Sequence, residues 1–325
     1  MDEGWHQGAL AEFGLEAGWV TGLEPDRVEV DLGPYRGCLW RIPALTRDVQ
    51  ELFMAWEDYL AKRRMCAAHL LAKGGAAFVG LPERGQAILT AWDGEDQPKL
   101  ESVEDLTRVA RFLARFRRAA VEAGLPAPPV PGLGWLAACR ERCRRLQLFC
   151  QLATERLNPT QFDLVYLEHA NYYRRQAERA TEELGRALEG LEEGPALIKM
   201  DRHRVYRVPG TPGLALKLAI CLGNGHQIRD LSRFLARVLP RLSWTAEPAA
   251  AVLAAYNGEW PLSAREMRAL QAGLGFPNDY YRLAYHYFFN RKSWPLRTFL
   301  RKYEHLLQLE AERQRLLAEL PLLLP

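Results

Sequence analysis

The sequence predicts an α+β protein of two lobes, a small β-rich one followed by a large helical one, and three observations carry that reading. Apolar residues alternate between Gly18 and Arg41, seven stretches after residue 134 repeat apolar positions at helical spacing, and a short strand pair interrupts them at 195–222. A chain of 325 residues also suits two lobes better than one core of the commonest size.

Taken in order, GWVTGLEPDRVEVDLGPYRGCLWRI at 18–42 reads as two or three antiparallel strands with turns between them. The segment 46–64 carries helical spacing, and AAFVGL at 76–81 and QAILTAW at 86–92 read as two further strands around a turn with Pro82 and Gly85. Leu106, Val109, Ala110, Leu113, Phe116 and Ala120 then fall on one helix face, with arginines opposite. GLPAPPVPGLG at 124–134 is a rigid connector, because its prolines remove donors and clash with a preceding turn. Helices are expected at 135–156, 160–190, 226–240, 245–256, 263–272, 278–290 and 296–320, and strands in ALIKMDRHRVYRV and GLALKLAIC around the turn VPGTPG. The expected division is a lobe of strands plus one helix at 1–95 and a helical lobe at 96–325 that carries the hairpin.

Composition excludes several classes. Hydrophobic residues are 48% and charged residues 26%, enough for a sizeable core, and a net charge of +3 gives little long-range pull on nucleic acid. The arginines of 140–145 read as the solvated face of a helix. The first 18 residues lack the features of a secretory signal, and no run of roughly 18 apolar residues suggests a membrane span. The expected place is inside a cell. Six cysteines, at 38, 66, 139, 143, 150 and 221, fit reduced thiols, and the Cys139–Cys143 pair has no partners to complete a zinc site.

Three phrases, in order, carry a resemblance. LARFRRAAVEAG at 113–124, the Asp230-Leu231 step, and YNGEWPLSAREMRALQAGLGFPNDYYRLAYHYF at 256–288 together resemble the kinase-like CotS family of bacterial spore coats. That family shares the two-lobed protein-kinase-like fold of aminoglycoside and choline phosphotransferases, so the resemblance implies that fold here. Arg117 stands where the family usually has a histidine.

Phosphoryl transfer in that fold needs a small-lobe lysine on the phosphates, an aspartate base, and an asparagine and second aspartate on magnesium. The stretch resembling the lysine strand is Gly37-Cys38-Leu39-Trp40-Arg41, so Trp40 occupies the lysine position, and the first lysine of the chain is Lys62. Arg41 should face the other side of its strand. The catalytic loop resembles Lys199-Met200-Asp201, which keeps Asp201 as a residual base position but places Tyr206 at the asparagine. The second metal position falls at Lys217-Leu218-Ala219, with Leu218 at the ligand itself, and no Asp or Glu occurs between Asp201 and Asp230. Magnesium's hard oxygen ligands are therefore missing from the hairpin. Only scattered glycines, at 14, 18 and 22, stand where a phosphate loop would be.

The expectation is a pseudokinase with no cofactor, no metal and no ATP binding. The groove beside Trp40 and Tyr206 is either a binding groove or a space that Trp40 fills as core. The resemblance implies a structural or scaffolding role in the spore coat or its assembly, with coat proteins as partners and a mother-cell cytoplasmic origin if the organism sporulates. The alternative is an active small-molecule phosphotransferase using ATP. The aromatic segment 280–294 and the last helix are candidate docking surfaces whose other reading is internal packing.

Overall fold

The structure is a computed structural model that describes residues 5–81, 85–93, 95, 96, 100, 102–129, 134–197, 205–208, 213–217, 221–289 and 291–323. The chain packs as two compact units, one of residues 1–130 with 194–224 and one of 131–193 with 225–325.

The first unit is built on a six-stranded antiparallel sheet. Strands β1 (Val20–Glu24), β2 (Arg27–Leu32) and β3 (Tyr35–Pro43) run in hairpin order, as the alternation predicts. The β3 strand then pairs with β6 (Gly85–Trp92), setting Trp40 opposite Ile88, and β4 (Ala68–Leu70) and β5 (Val79–Gly80) complete the sheet on β6. Because side chains alternate along a strand, Cys38, Trp40 and Ile42 share one face of β3 while Leu39 faces the other. The Leu39 face, with Val28, Val30, Ala87 and Leu89, is covered by α1 (Trp5–Glu12) through Trp5, Ala9 and Leu10. Leu10, at 1% exposure, contributes roughly 1.5–3 kcal/mol by that burial. No sequence signal announced α1, whose eight residues span too few turns for a periodic stripe.

Helix α2 (Arg47–Ala61) buries Phe53, Trp56 and Leu60 at i, i+3 and i+7, and the Trp56 indole donates to the Pro126 carbonyl at 2.9 Å. Helix α3 (Val103–Ala123) starts at the Ser102 cap, whose hydroxyl accepts from the Asp105 amide, and stops at Gly124 in the left-handed conformation, φ 61°. Its expected stripe, Leu106 to Ala120, is buried.

The interrupting strands are more divided than the sequence suggests. Strands β8 (Gly194–Leu197) and β11 (Leu222–Gly225) pair with each other, whereas β9 (Val205–Arg207) lies between β10 (Leu214–Leu216) and β7 (Glu95–Asp96). The stretch 196–208, read as one strand, thus belongs to two sheets, and residues 198–204 lie outside the described part. By packing, this segment joins the first unit rather than following its chain neighbours in 96–325. The reason is physical: α3 packs on β8 and β10, and the Leu216 amide and carbonyl bond to Met65 and Ala67 at 2.8 and 2.7 Å.

The second unit is helical: α4 (Trp135–Thr154), α5 (Gln161–Leu188), α6 (Ile228–Val238), α7 (Ala246–Asn257), α8 (Ala264–Gly275), α9 (Asn278–Phe288) and α10 (Leu296–Glu319). Capping boxes start two of them, Thr160 with Asp163 on α5 and Ser263 with Glu266 on α8. The Asp163 carboxylate, fully buried, also takes the Arg156 guanidinium at 2.8 Å. The aromatic residues of α9 turn inward: Tyr280 stacks between Tyr166 and Tyr173 at 5.1 and 4.1 Å, and Phe288 lies on Phe149 at 5.3 Å. Of the two readings of this segment, docking surface or internal packing, these side chains follow the packing one, with Tyr280 buried and Phe288 partly buried. Of the arginines of α4, Arg140 and Arg144 are solvated as expected, whereas Arg142 donates to the Asn278 side chain at 2.7 Å and Arg145 packs over Tyr285. Among the described residues no helix is long and apolar enough to cross a membrane.

Candidate functional site

The sequence places its candidate site on the Trp40 face of the sheet, and four elements of the first unit meet there. Strand β3 supplies Cys38 and Trp40, β6 supplies Thr90 and Trp92, β9 supplies Tyr206, and the end of β10 supplies Lys217. Cys38 stands opposite Thr90, so Trp40 is diagonal to it and its indole N–H donates to the Thr90 hydroxyl at 2.9 Å. Trp40, Trp92 and Tyr206 are 3%, 5% and 6% exposed and belong to one core cluster with Ile42, Ala67, Ile88 and Ala215. The Trp92 and Tyr206 rings lie 5.9 Å apart.

Lys217 is buried as well, and its ammonium sits 4.2 Å from the centre of the Trp92 ring. A cation over an indole face gains about 2 kcal/mol when desolvated, which helps to hold a charge that burial would otherwise penalise. Burial pushes the Cys38 thiol up, with Arg27 and Lys217 opposing, and burial also raises the Tyr206 phenol. Neither side chain is ionised near neutral pH. Of the two readings the sequence left open, a groove beside Trp40 or a space it fills, the packing corresponds to the filled one.

Arg41 lies on the opposite face, with its guanidinium 5.8 Å over the Trp5 ring. Asp201 and Leu218 fall outside the described residues, so the base position and the second metal position have no placement. Among the described residues no group of three or more His, Cys, Asp or Glu side chains is arranged to hold a metal ion.

One residue of this region escaped the sequence reading. Kinases place a glutamate of the small-lobe helix against the phosphate-binding lysine. Here α2 carries Glu57, 3% exposed, and its carboxylate accepts the His69 backbone amide at 2.7 Å and the His69 ring Nδ1. That bond raises the histidine's pKa, against a smaller lowering by burial. A glutamate four residues from Phe53 and three from Leu60, on the buried stripe, was the available signal. It marked a buried charge without marking its partner, which lies on β4.

With this geometry in view, the chain can be set beside known proteins. No protein-family model and no curated protein matches the sequence. Solved structures do match. An aminoglycoside phosphotransferase from Alicyclobacillus acidocaldarius superposes with a TM-score of 0.76 at 16% identity, covering 96% of this chain and 93% of that one. A microcompartment-associated aminopropanol kinase gives 0.65 at 15% identity over 97% and 98%. A choline/ethanolamine kinase family protein from Mesorhizobium loti gives 0.56 at 13% over 98% and 99%. The chain therefore has the aminoglycoside phosphotransferase-like form of the kinase-like fold, with a small antiparallel sheet region and a larger helical one. At these identities the likeness shows the fold alone.

Proposed function

We propose that this protein is a pseudokinase: a kinase-like chain that performs no phosphoryl transfer and acts by binding, as a structural or scaffolding component. The observation that carries the reading is Trp40, buried on β3 with its indole bonded to Thr90, where the resemblance puts the phosphate-binding lysine. Transfer of a phosphoryl group rests on positioning and charge neutralisation, and an indole supplies neither. The Glu57 carboxylate, the usual partner of that lysine, is instead engaged by His69.

The site of action follows from the sequence resemblance alone: the spore coat or its assembly, with other coat proteins as partners. Association with a coat fraction of a sporulating source tests that part. The catalytic part is tested by thermal shift with ATP, with and without magnesium, because a ligand at 100 times its Kd stabilises the native state by about 2.7 kcal/mol. The expected result is no shift. A magnesium-dependent shift, with ATP turnover that disappears in Asp201→Asn, overturns the reading in favour of an active small-molecule phosphotransferase.

A further inference from the structure

The second unit carries an open cavity of about 730 Å³, within the range of small-molecule sites. Its walls are aromatic, with Trp244, Phe276, Tyr280 and Trp294 all lining it. The backbone is bent to bring one of them there: Ser243 and Trp244 are consecutive non-glycine residues in the left-handed region, at φ 49° and 55°. Each such residue costs of order 1–3 kcal/mol, and strain of this kind clusters at ligand sites.

The charges lining the cavity are unbalanced in favour of cations. Asp279 is paired with Arg282 at 2.7 Å, and Glu310 with Arg313 at 3.0 Å, so two of the three lining carboxylates are already neutralised. The third, Glu304, shares the rim with Arg241, Arg301 and Lys302, and neither arginine has an acidic partner among the described residues. Lys302 lies 4.8 Å over the Trp294 ring, which adds a further positive charge beside that wall.

Two polar atoms in the wall also lack a partner among the described residues. The Tyr173 hydroxyl is buried on a residue 1% exposed, and the His286 Nδ1 is buried as well, both residues belonging to the lining. Burial, with Lys292 and Arg282, lowers the pKa of His286, so its ring is neutral at pH 7 and offers one donor and one acceptor. Both atoms are closed off from the cavity's open space, so a ligand there meets the aromatic faces and the charged rim rather than these groups.

We propose that this cavity binds a small aromatic carboxylate, its ring against the tryptophan walls and its carboxylate at the Arg241 and Arg301 rim. Guanidinium forks match carboxylate geometry, and aromatic rings gain most by burial against other rings. The proposal stands independently of the pseudokinase reading, since every lining residue belongs to the second unit.

The test is calorimetric titration of the full chain with three probes of one shape: 2-naphthoate, the neutral 2-naphthamide, and cationic 2-naphthylmethylamine. Naphthoate should bind at one site per chain, at least about tenfold tighter than the amide and tighter still than the amine. The Arg241→Gln/Arg301→Gln double variant changes two exposed side chains, so it should keep the fold and lose that tenfold preference. Trp294→Ala should weaken naphthoate and naphthamide alike. Absence of binding by all three probes overturns the site, and equal or inverted affinities overturn its assignment to an anion. None of these outcomes depends on ATP, so failure here is distinct from failure of the pseudokinase reading.

Discussion

Two groups of aromatic side chains, one in each unit, do opposite things with the same chemistry. In the first unit Trp40, Trp92 and Tyr206 spend their surface on one another and on the β-branched and small residues of the sheet, leaving 3–6% exposed. In the second unit the half-buried Trp294, with Trp244 at 7% exposure beside the same space, borders about 730 Å³ of open cavity and meets arginine and lysine side chains there. The difference lies in what surrounds the rings. Strands 4.8 Å apart present their side chains side by side, so neighbouring rings on one face close any gap between them. Helices cross at 8–10 Å, and where a loop holds a ring off the crossing point, a cavity is left. The lesson is that an aromatic residue at a site position says nothing about openness until its supporting element is known.

The largest effect that would break this comparison is expected from truncation. Trp40→Ala should cost the first unit about 3–5 kcal/mol, while Trp294→Ala, on a half-buried ring at a cavity rim, should cost less than about 1 kcal/mol. Urea unfolding followed separately in each unit by hydrogen exchange reads both; equal costs would mean that the Trp40 face is no tighter than the cavity wall.

A smaller effect tests whether the second unit is loose everywhere or only at its cavity. At Gly273 on α8, an added Cβ would come within 2.4 Å of the Trp135 ring and 2.5 Å of the Ser232 hydroxyl. Replacing a helical glycine by alanine ordinarily gains about 1 kcal/mol, but here overpacking of about 1–3 kcal/mol should prevail. A stabilised Gly273→Ala variant would show that this crossing has slack.

The smallest effect concerns the polar pair of the first unit. His69 is held above its ordinary pKa chiefly by the Glu57 hydrogen bond. A group raised in the folded state stabilises fully below its unfolded value, near 6.5, and loses that contribution as pH climbs through the folded value. The wild-type protein should therefore gain stability on acidification through this window relative to Glu57→Gln. Parallel stability profiles for the two proteins would mean that the pair is uncoupled from folding.

Much of the architecture was readable before any packing was considered. The helices of the second unit fall within three residues of their expected ends because they are long and periodic, and several of their caps sit at Ser, Thr and Pro signals. Strands β1 to β3 were readable from alternation. Less readable were α1 and β4, too short for a period, and the split of 196–208 between two sheets, which depends on partners far along the chain. Glu57 stood in view on a buried stripe, but its histidine partner could be found only by folding β4 onto β6.

By itself, the sequence determined that no lysine precedes Lys62, that Trp40 holds the strand position where the resemblance expects one, and that no acidic residue lies between Asp201 and Asp230. Those are facts of composition and order, and no arrangement of the chain can alter them. Only the tertiary structure decided that Trp40 is core, that Lys217 rests on Trp92, that the hairpin packs with the sheet, and that Trp244 and Trp294 face a cavity. Periodicity and residue type are properties of neighbouring positions, whereas filling or leaving a space depends on which distant side chains arrive there and how closely their backbones approach.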